Sequence, residues 1–137
     1  MLQVYSNNLT VEANSVFPFD NVVVDKGCAE TLSAPATIQL NQRGVYLVEM
    51  DGFAMPDSVA ETSVQLYINS VPQPQAISTF TGASVTSATT FGFKTFVKVT
   101  ENNCPCNVLA GPTTLQFMNG ETALTDAHIN VVITKII

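Results

Sequence analysis

Alternation with a period of two runs through most of this chain. In 62–69, Val64, Leu66 and Ile68 alternate with Ser63, Gln65, Tyr67 and Asn69. That is the pattern of a strand with one face in a core and the other in water. Other segments break the rule. In 44–53, Tyr46, Val48 and Met50 form one face, while Val45 and Leu47 start the opposite face before Glu49 and Asp51 take over. In 128–137, Ile129, Val131 and Ile133 form a clean apolar face, and His128, Asn130, Val132, Thr134 and Ile136 form a mixed one. In 89–100, Phe91, Phe93, Val97 and Val99 share a face, with Phe96 between Lys94 and Lys98 on the other.

A strand in a small sandwich needs one apolar face. The stretch from Ile38 to Met50 has more: it reads as a strand, a tight turn closing on Gly44, and a second strand that is apolar on both faces. The chain therefore holds one ordinary sheet and one whose outer surface is also partly apolar. Either a loop of the same chain covers that surface or a second subunit does, and the mixed polar and apolar character favours a permanent subunit contact.

Turn signals come at short intervals: Phe17-Pro18, Asp25-Lys26-Gly27, Ala34-Pro35, Gln42-Arg43-Gly44, Met55-Pro56-Asp57, Val71-Pro72-Gln73-Pro74, Thr81-Gly82, Glu101-Asn102-Asn103, Gly111-Pro112 and Asn119-Gly120. No ten-residue segment has a convincing helical period. Eight to ten short strands in one domain, 1–137, predict an all-β sandwich or barrel. No repeat, linker or low-complexity tail interrupts it.

Composition sharpens the expectation of a partner. Charged residues make up only 12% of the 137, against about 25% in an ordinary soluble domain. A polar Ser/Thr/Asn/Gln surface accounts for part of the deficit, and surface hidden in an assembly accounts for the rest. The net charge of −6 and five scattered basic residues exclude a phosphate-binding patch, so nucleic acid is not an expected partner. No window approaches the roughly 18 apolar residues of a membrane helix. The residues after Met1 lack a signal peptide's basic and apolar regions, so synthesis in a cytoplasm without signal-directed export is expected. The sequon Asn8-Leu9-Thr10 then has no glycosylating compartment.

Chemistry is sparse. His128 is the only histidine, which rules out a multi-histidine metal site. A triad would have to use it, with Asp126 two positions away; an enzyme is not expected. Glu49 with Asp51 and Asp57 with Glu61 are the nearest carboxylate pairs and read as solvated rim residues. Asp51 and Asp57, flanking a loop, leave room for a weak calcium contact at most. Cys28, Cys104 and Cys106 cannot all pair within one chain; free, partly buried thiols are expected, with a Cys28 bridge or an intersubunit metal as alternatives. Tyr67 and the polar loop Thr79–Thr90 form a candidate glycan- or receptor-contacting patch, or simply solvent-facing turns. No cofactor is implied.

Several of these motifs, in this order, resemble the C1q/tumour-necrosis-factor-like jelly roll. The segment Asn14-Ser15-Val16-Phe17-Pro18-Phe19-Asp20 is similar to the Pro-Phe entry of bacterial and phage members. Ile38-x-Leu40 followed by Gly44-x-Tyr46-x-Val48 resembles the central strand pair. Val64-x-Leu66-Tyr67-x-Asn69 resembles the next strand and turn, with Ser70 where glycine usually follows. Ala127–Ile137 resembles the closing strand. The resemblance implies ten strands in two sheets and a trimer whose inner sheets pack around a threefold axis. Carried over, it turns Leu47 and Glu49 toward the neighbouring subunit, and the second faces of their strands add Phe96, His128, Asn130, Val132, Thr134 and Ile136 to the expected trimer interface. Tyr46, Val48, Met50, Val64, Leu66, Ile68, Phe91, Phe93, Ile129, Val131 and Ile133 fall in the core.

Members of this fold cap spore-surface glycoproteins and phage fibres, decorate phage heads, and act as secreted cytokines. With no Gly-X-Y stalk and no signal peptide in view, the expectation is a structural virion protein: a trimeric head-fibre or capsid-decorating component with capsid or fibre proteins as partners. The alternative is a glycan- or receptor-binding module of a phage fibre or a bacterial surface or spore protein.

Overall fold

The computed structural model describes residues 1–82, 86–100 and 113–137. Among the described residues ten strands follow one another: β1 (Leu2–Val11), β2 (Asn21–Asp25), β3 (Glu30–Ala34), β4 (Thr37–Leu40), β5 (Gly44–Pro56), β6 (Glu61–Ile68), β7 (Val71–Thr81), β8 (Thr89–Val99), β9 (Thr113–Asn119) and β10 (Leu124–Lys135). They form two antiparallel five-stranded sheets, sheet A in the order β2-β1-β10-β5-β8 and sheet B in the order β3-β4-β9-β6-β7. The chain crosses repeatedly from one sheet to the other, as in a jelly roll.

The strands with the apolar surplus (β5, β8 and β10) lie side by side in sheet A, and the ordinary strand β6 lies in sheet B. Alternation explains why the sheets face each other: Leu2, Val4, Tyr46, Val48, Met50, Ile129, Val131 and Ile133 of sheet A are buried against Ile38, Leu40, Val64, Leu66, Leu115 and Phe117 of sheet B. Phe91 is buried with them. Ile68 and Phe93, expected in the core, are only partly buried against it. Ile68 ends its strand at a hairpin, and Phe93 lies on the edge strand of sheet A, where the sandwich opens. The loop segment before β2 sends Phe17 and Phe19 into the core, where Phe19 meets Phe117 edge-on with centroids 6.1 Å apart.

Several sequence expectations change. Ile38–Leu40 and Gly44–Val48 are not a strand pair: β4 bonds to β3 and β9, β5 to β10 and β8. The turn between them carries the chain across the sandwich, because each strand's apolar face needs the other sheet. Val71-Pro72-Gln73-Pro74 is strand rather than turn; β7 is an edge strand, where proline costs no central ladder bond. The turn instead sits at Asn69 and Ser70, both with positive φ (49° and 67°), the left-handed pair that tight hairpins require. Gly44 has φ 151° and passes so close to the Ile137 carbonyl that a Cβ would collide with it. Asp51 does not flank a loop, since β5 runs unbroken to Pro56. Likewise β7 continues to Thr81 and β8 starts at Thr89, so the polar loop is shorter than Thr79–Thr90.

One end of the sandwich is tied by Glu30, whose side chain is fully buried. Its Oε2 accepts the Met1 ammonium at 3.1 Å, and its Oε1 accepts the Lys135 backbone N–H at 3.0 Å. Cys28 is a free, exposed thiol rather than a partly buried one, with the Gln42 amide donating to its sulfur at 3.2 Å. Cys104 and Cys106 lie outside the described residues.

Candidate functional site

The outward face of sheet A is built from the second parity of its strands. Cross-strand register arranges most of it in four rows, with Val45 and Lys98 paired beyond the last. Thr90, Phe53 and His128 make the first. Gly92, Asp51, Asn130 and Tyr5 make the second. Lys94, Glu49, Val132 and Gln3 make the third, and Phe96, Leu47 and Thr134 the fourth. Seven of the eight residues expected at an interface thus come together on one surface. The eighth, Ile136, lies just beyond the end of β10, but its N–H still donates to the Val45 carbonyl at 2.8 Å.

The two ends of this face are apolar and its middle is polar. At one end the His128 and Phe53 rings stack with centroids 5.1 Å apart, and Tyr5 lies 6.3 Å from the histidine ring. At the other end Leu47 stands opposite Phe96. Between them the Gln3 amide donates to Asn130 Oδ1 at 3.0 Å, and the Asn130 amide donates to Asp51 Oδ1 at 3.2 Å. Gly92, with no side chain, leaves a groove of 470 Å³ lined by Glu49, Asp51 and Lys94. Phe53 and Phe96 remain 41% and 64% exposed, a large apolar commitment for a surface left to water.

Among the described residues His128, the single histidine of the chain, has aromatic neighbours. The rings beside it are those of Tyr5 and Phe53, and Asp126 sits at a left-handed irregularity within β10 (φ 47°) where the strand slips register against β5. Among the described residues no group of three or more His, Cys, Asp or Glu is placed to hold a metal ion. Tyr46, buried behind the face, donates its hydroxyl to the Gln42 carbonyl at 2.7 Å. Burial raises its pKa and the Glu30 charge adds to the rise, while the bond to Gln42 opposes it.

Sequence reasoning missed Gln3, Tyr5 and Phe53 as members of this surface, and put Asp51 on the right face of its strand without assigning it to the interface. The signal for Asp51 and Phe53 was present, since both share the parity of Leu47 and Glu49. Gln3 and Tyr5 alternate with buried Leu2 and Val4, but nothing local says that β1 lies beside β10.

The fold is that of the C1q/TNF-like jelly-roll domains. The globular domain of zebrafish complement 1qA protein superposes with a TM-score of 0.64 at 9% identity, over 96% of this chain and 94% of that one. Eiger TNF from S. frugiperda does so with a TM-score of 0.68 at 13% identity, over 98% and 92%. The PRD1 vertex protein P5 matches with a TM-score of 0.64 at 20% identity, over 99% and 96%. No protein-family pattern matches the sequence, and no curated protein does.

Proposed function

We propose that this chain is a non-enzymatic structural component of a virion, a homotrimer that decorates a capsid or forms a head fibre. The observation that carries the assembly is the outward face of sheet A, where exposed Phe53 and Phe96 bracket a hydrogen-bonded polar centre. Such a surface has the composition of a subunit contact, apolar anchors with internally satisfied polar groups. Leu47, Glu49, Phe96, His128, Asn130, Val132, Thr134 and Ile136 are the residues assigned to it. The virion setting is supported by the shared fold with a vertex protein along nearly the whole of both chains, an analogy at the level of fold.

Light scattering of the purified chain tests the assembly: the expected mass is three times that of the 14.7 kDa chain, and a monomer overturns it. Stoichiometric copurification with intact particles tests the setting. Absence from particles, together with specific adsorption to cells or to one glycan, would replace it with the receptor- or glycan-binding reading.

A further inference from the structure

The outward face of sheet B differs in kind from that of sheet A. Among the described residues its outward positions carry one charged side chain, Glu61 at the start of β6, and the rest are mainly Ser, Thr and Gln. The outward face of sheet A carries Glu49, Asp51, Lys94 and Lys98. At the Glu61 end of sheet B lies a groove of 350 Å³ whose lining includes Glu61, Ser63, Ile77, Thr79, Gly120 and Glu121. Of the patch expected from the sequence, Thr79 lines this groove and Tyr67 does not.

The fold holds the lining in place. Register sets Ser63 opposite Thr79 on one face of the β6–β7 pair. The turn between β9 and β10 supplies Gly120 and Glu121, and hydrogen bonds pin it on both sides. The buried Asn119 amide donates to the carbonyls of Glu12 at 3.1 Å and Thr122 at 2.9 Å, and the Gly120 N–H donates to the Ser63 carbonyl at 2.8 Å. A Cβ at Gly120 would sit 2.9 Å from Ser63 Oγ, so glycine keeps that hydroxyl uncrowded.

The lining selects a chemistry. Carboxylates accept hydrogen bonds, hydroxyls both donate and accept, and an O–H donated to a carboxylate makes a strong, charge-assisted bond. Ile77, 40% exposed, sets an apolar patch beside them. The matching ligand bears several hydroxyls on a ring with an apolar face. Among the described residues no basic side chain lines the groove, and two carboxylates in a chain of net charge −6 repel an anion. A calcium ion takes roughly 6–8 oxygen ligands, and the described residues hold no group of three or more His, Cys, Asp or Glu for a metal. The volume is at the small end of ligand clefts, about 300–1,000 Å³, which suits a sugar residue better than a peptide segment.

We propose that this groove binds a neutral sugar, the terminal residue of an uncharged glycan. Glu61 and Glu121 accept from its hydroxyls, Ser63 and Thr79 exchange hydrogen bonds with them, and Ile77 packs on the C–H face of the ring. The groove lies on the side of the sandwich away from sheet A, so it is open in a monomer and in the trimer proposed above.

The full chain is screened against immobilised neutral glycans ending in glucose, galactose, mannose or N-acetylglucosamine, and against sialylated and sulfated ones. Free oligosaccharides from the panel are then titrated by calorimetry, which reads each site without avidity. Binding to a neutral terminal sugar is expected, with none to the anionic glycans. Glu61→Gln with Glu121→Gln should weaken the affinity at least tenfold, and Thr79→Arg, which fills the groove, should abolish binding. All three positions are exposed or at a strand edge, and thermal unfolding checks that the variants stay folded. Absence of binding to every neutral glycan overturns the assignment, as does binding restricted to the anionic ones or undiminished affinity in the folded variants. Light scattering of the same sample reads the trimer separately, so either reading can fail alone.

Discussion

Leu47 and Phe96 stand opposite one another on β5 and β8, on the outward side of sheet A, with Phe96 64% exposed. The next residue, Val48, faces the other way and is fully buried. One step along the chain therefore separates the outward face, proposed above as the assembly surface, from the core.

That step predicts opposite phenotypes. Leu47→Asp should leave a folded subunit whose trimer is weakened, seen as a fall in mass by light scattering with little change in intrinsic stability. Val48→Asp buries an uncompensated charge and should cost roughly 3–5 kcal/mol or more, enough to unfold a domain of ordinary stability. Stable trimers from both variants would show the faces to be wrongly assigned.

Glu30 joins sheet B to the last strand of sheet A through its bond to the Lys135 N–H. Glu30→Ala should lower stability by about 2 kcal/mol, because the buried carboxylate is a charge-assisted acceptor and its donor is left without a partner. In a chain of this size that corresponds to a melting temperature lower by roughly 7 °C. Calorimetry that shows no shift would remove Glu30 from any structural role.

Tyr46 makes stability depend on alkaline pH. Its pKa is raised above the ordinary value of 10.0 in the folded state, so the unfolded chain ionises first. Stability is then fully present below pH 10 and falls as pH rises through the folded value, because the unfolded state binds fewer protons there. Tyr46→Phe should flatten that decline relative to the unaltered chain in denaturant titrations between pH 9 and 11. Equal slopes would contradict the assignment.

Gly52 is required by packing. A Cβ there would collide with the His128 carbonyl and sit 2.8 Å from the Phe91 ring. Gly52→Val should destabilise by about 3 kcal/mol through overpacking and strand separation, and should also displace His128 on the outward face. Unchanged denaturation midpoints would show that β5 and β10 can part without loss.

Much of sheet A's outer surface was legible in the sequence. Leu47, Phe96 and Val132 break the simple alternation, and parity alone puts them on the face opposite Tyr46, Val48 and Ile133. What parity cannot supply is adjacency. The Tyr5–His128–Phe53 cluster draws on β1, β10 and β5, and no local pattern joins residues that far apart in the chain. The Asp51–Asp57 loop was misread for a related reason, since Pro56 signals a turn locally although the sheet carries β5 through to it.

By itself the sequence determined the period of each strand, which side chains share a face, and the scarcity of catalytic chemistry. These follow from backbone pleating, which acts between neighbouring residues. Only the tertiary structure decided that β4 and β5, consecutive in the chain, belong to opposite sheets, and that Leu2 pairs with Ile133 across the length of the molecule. Strand partners are chosen by mutual burial of apolar faces over long separations, and that choice set the aromatic end and the polar centre on one surface.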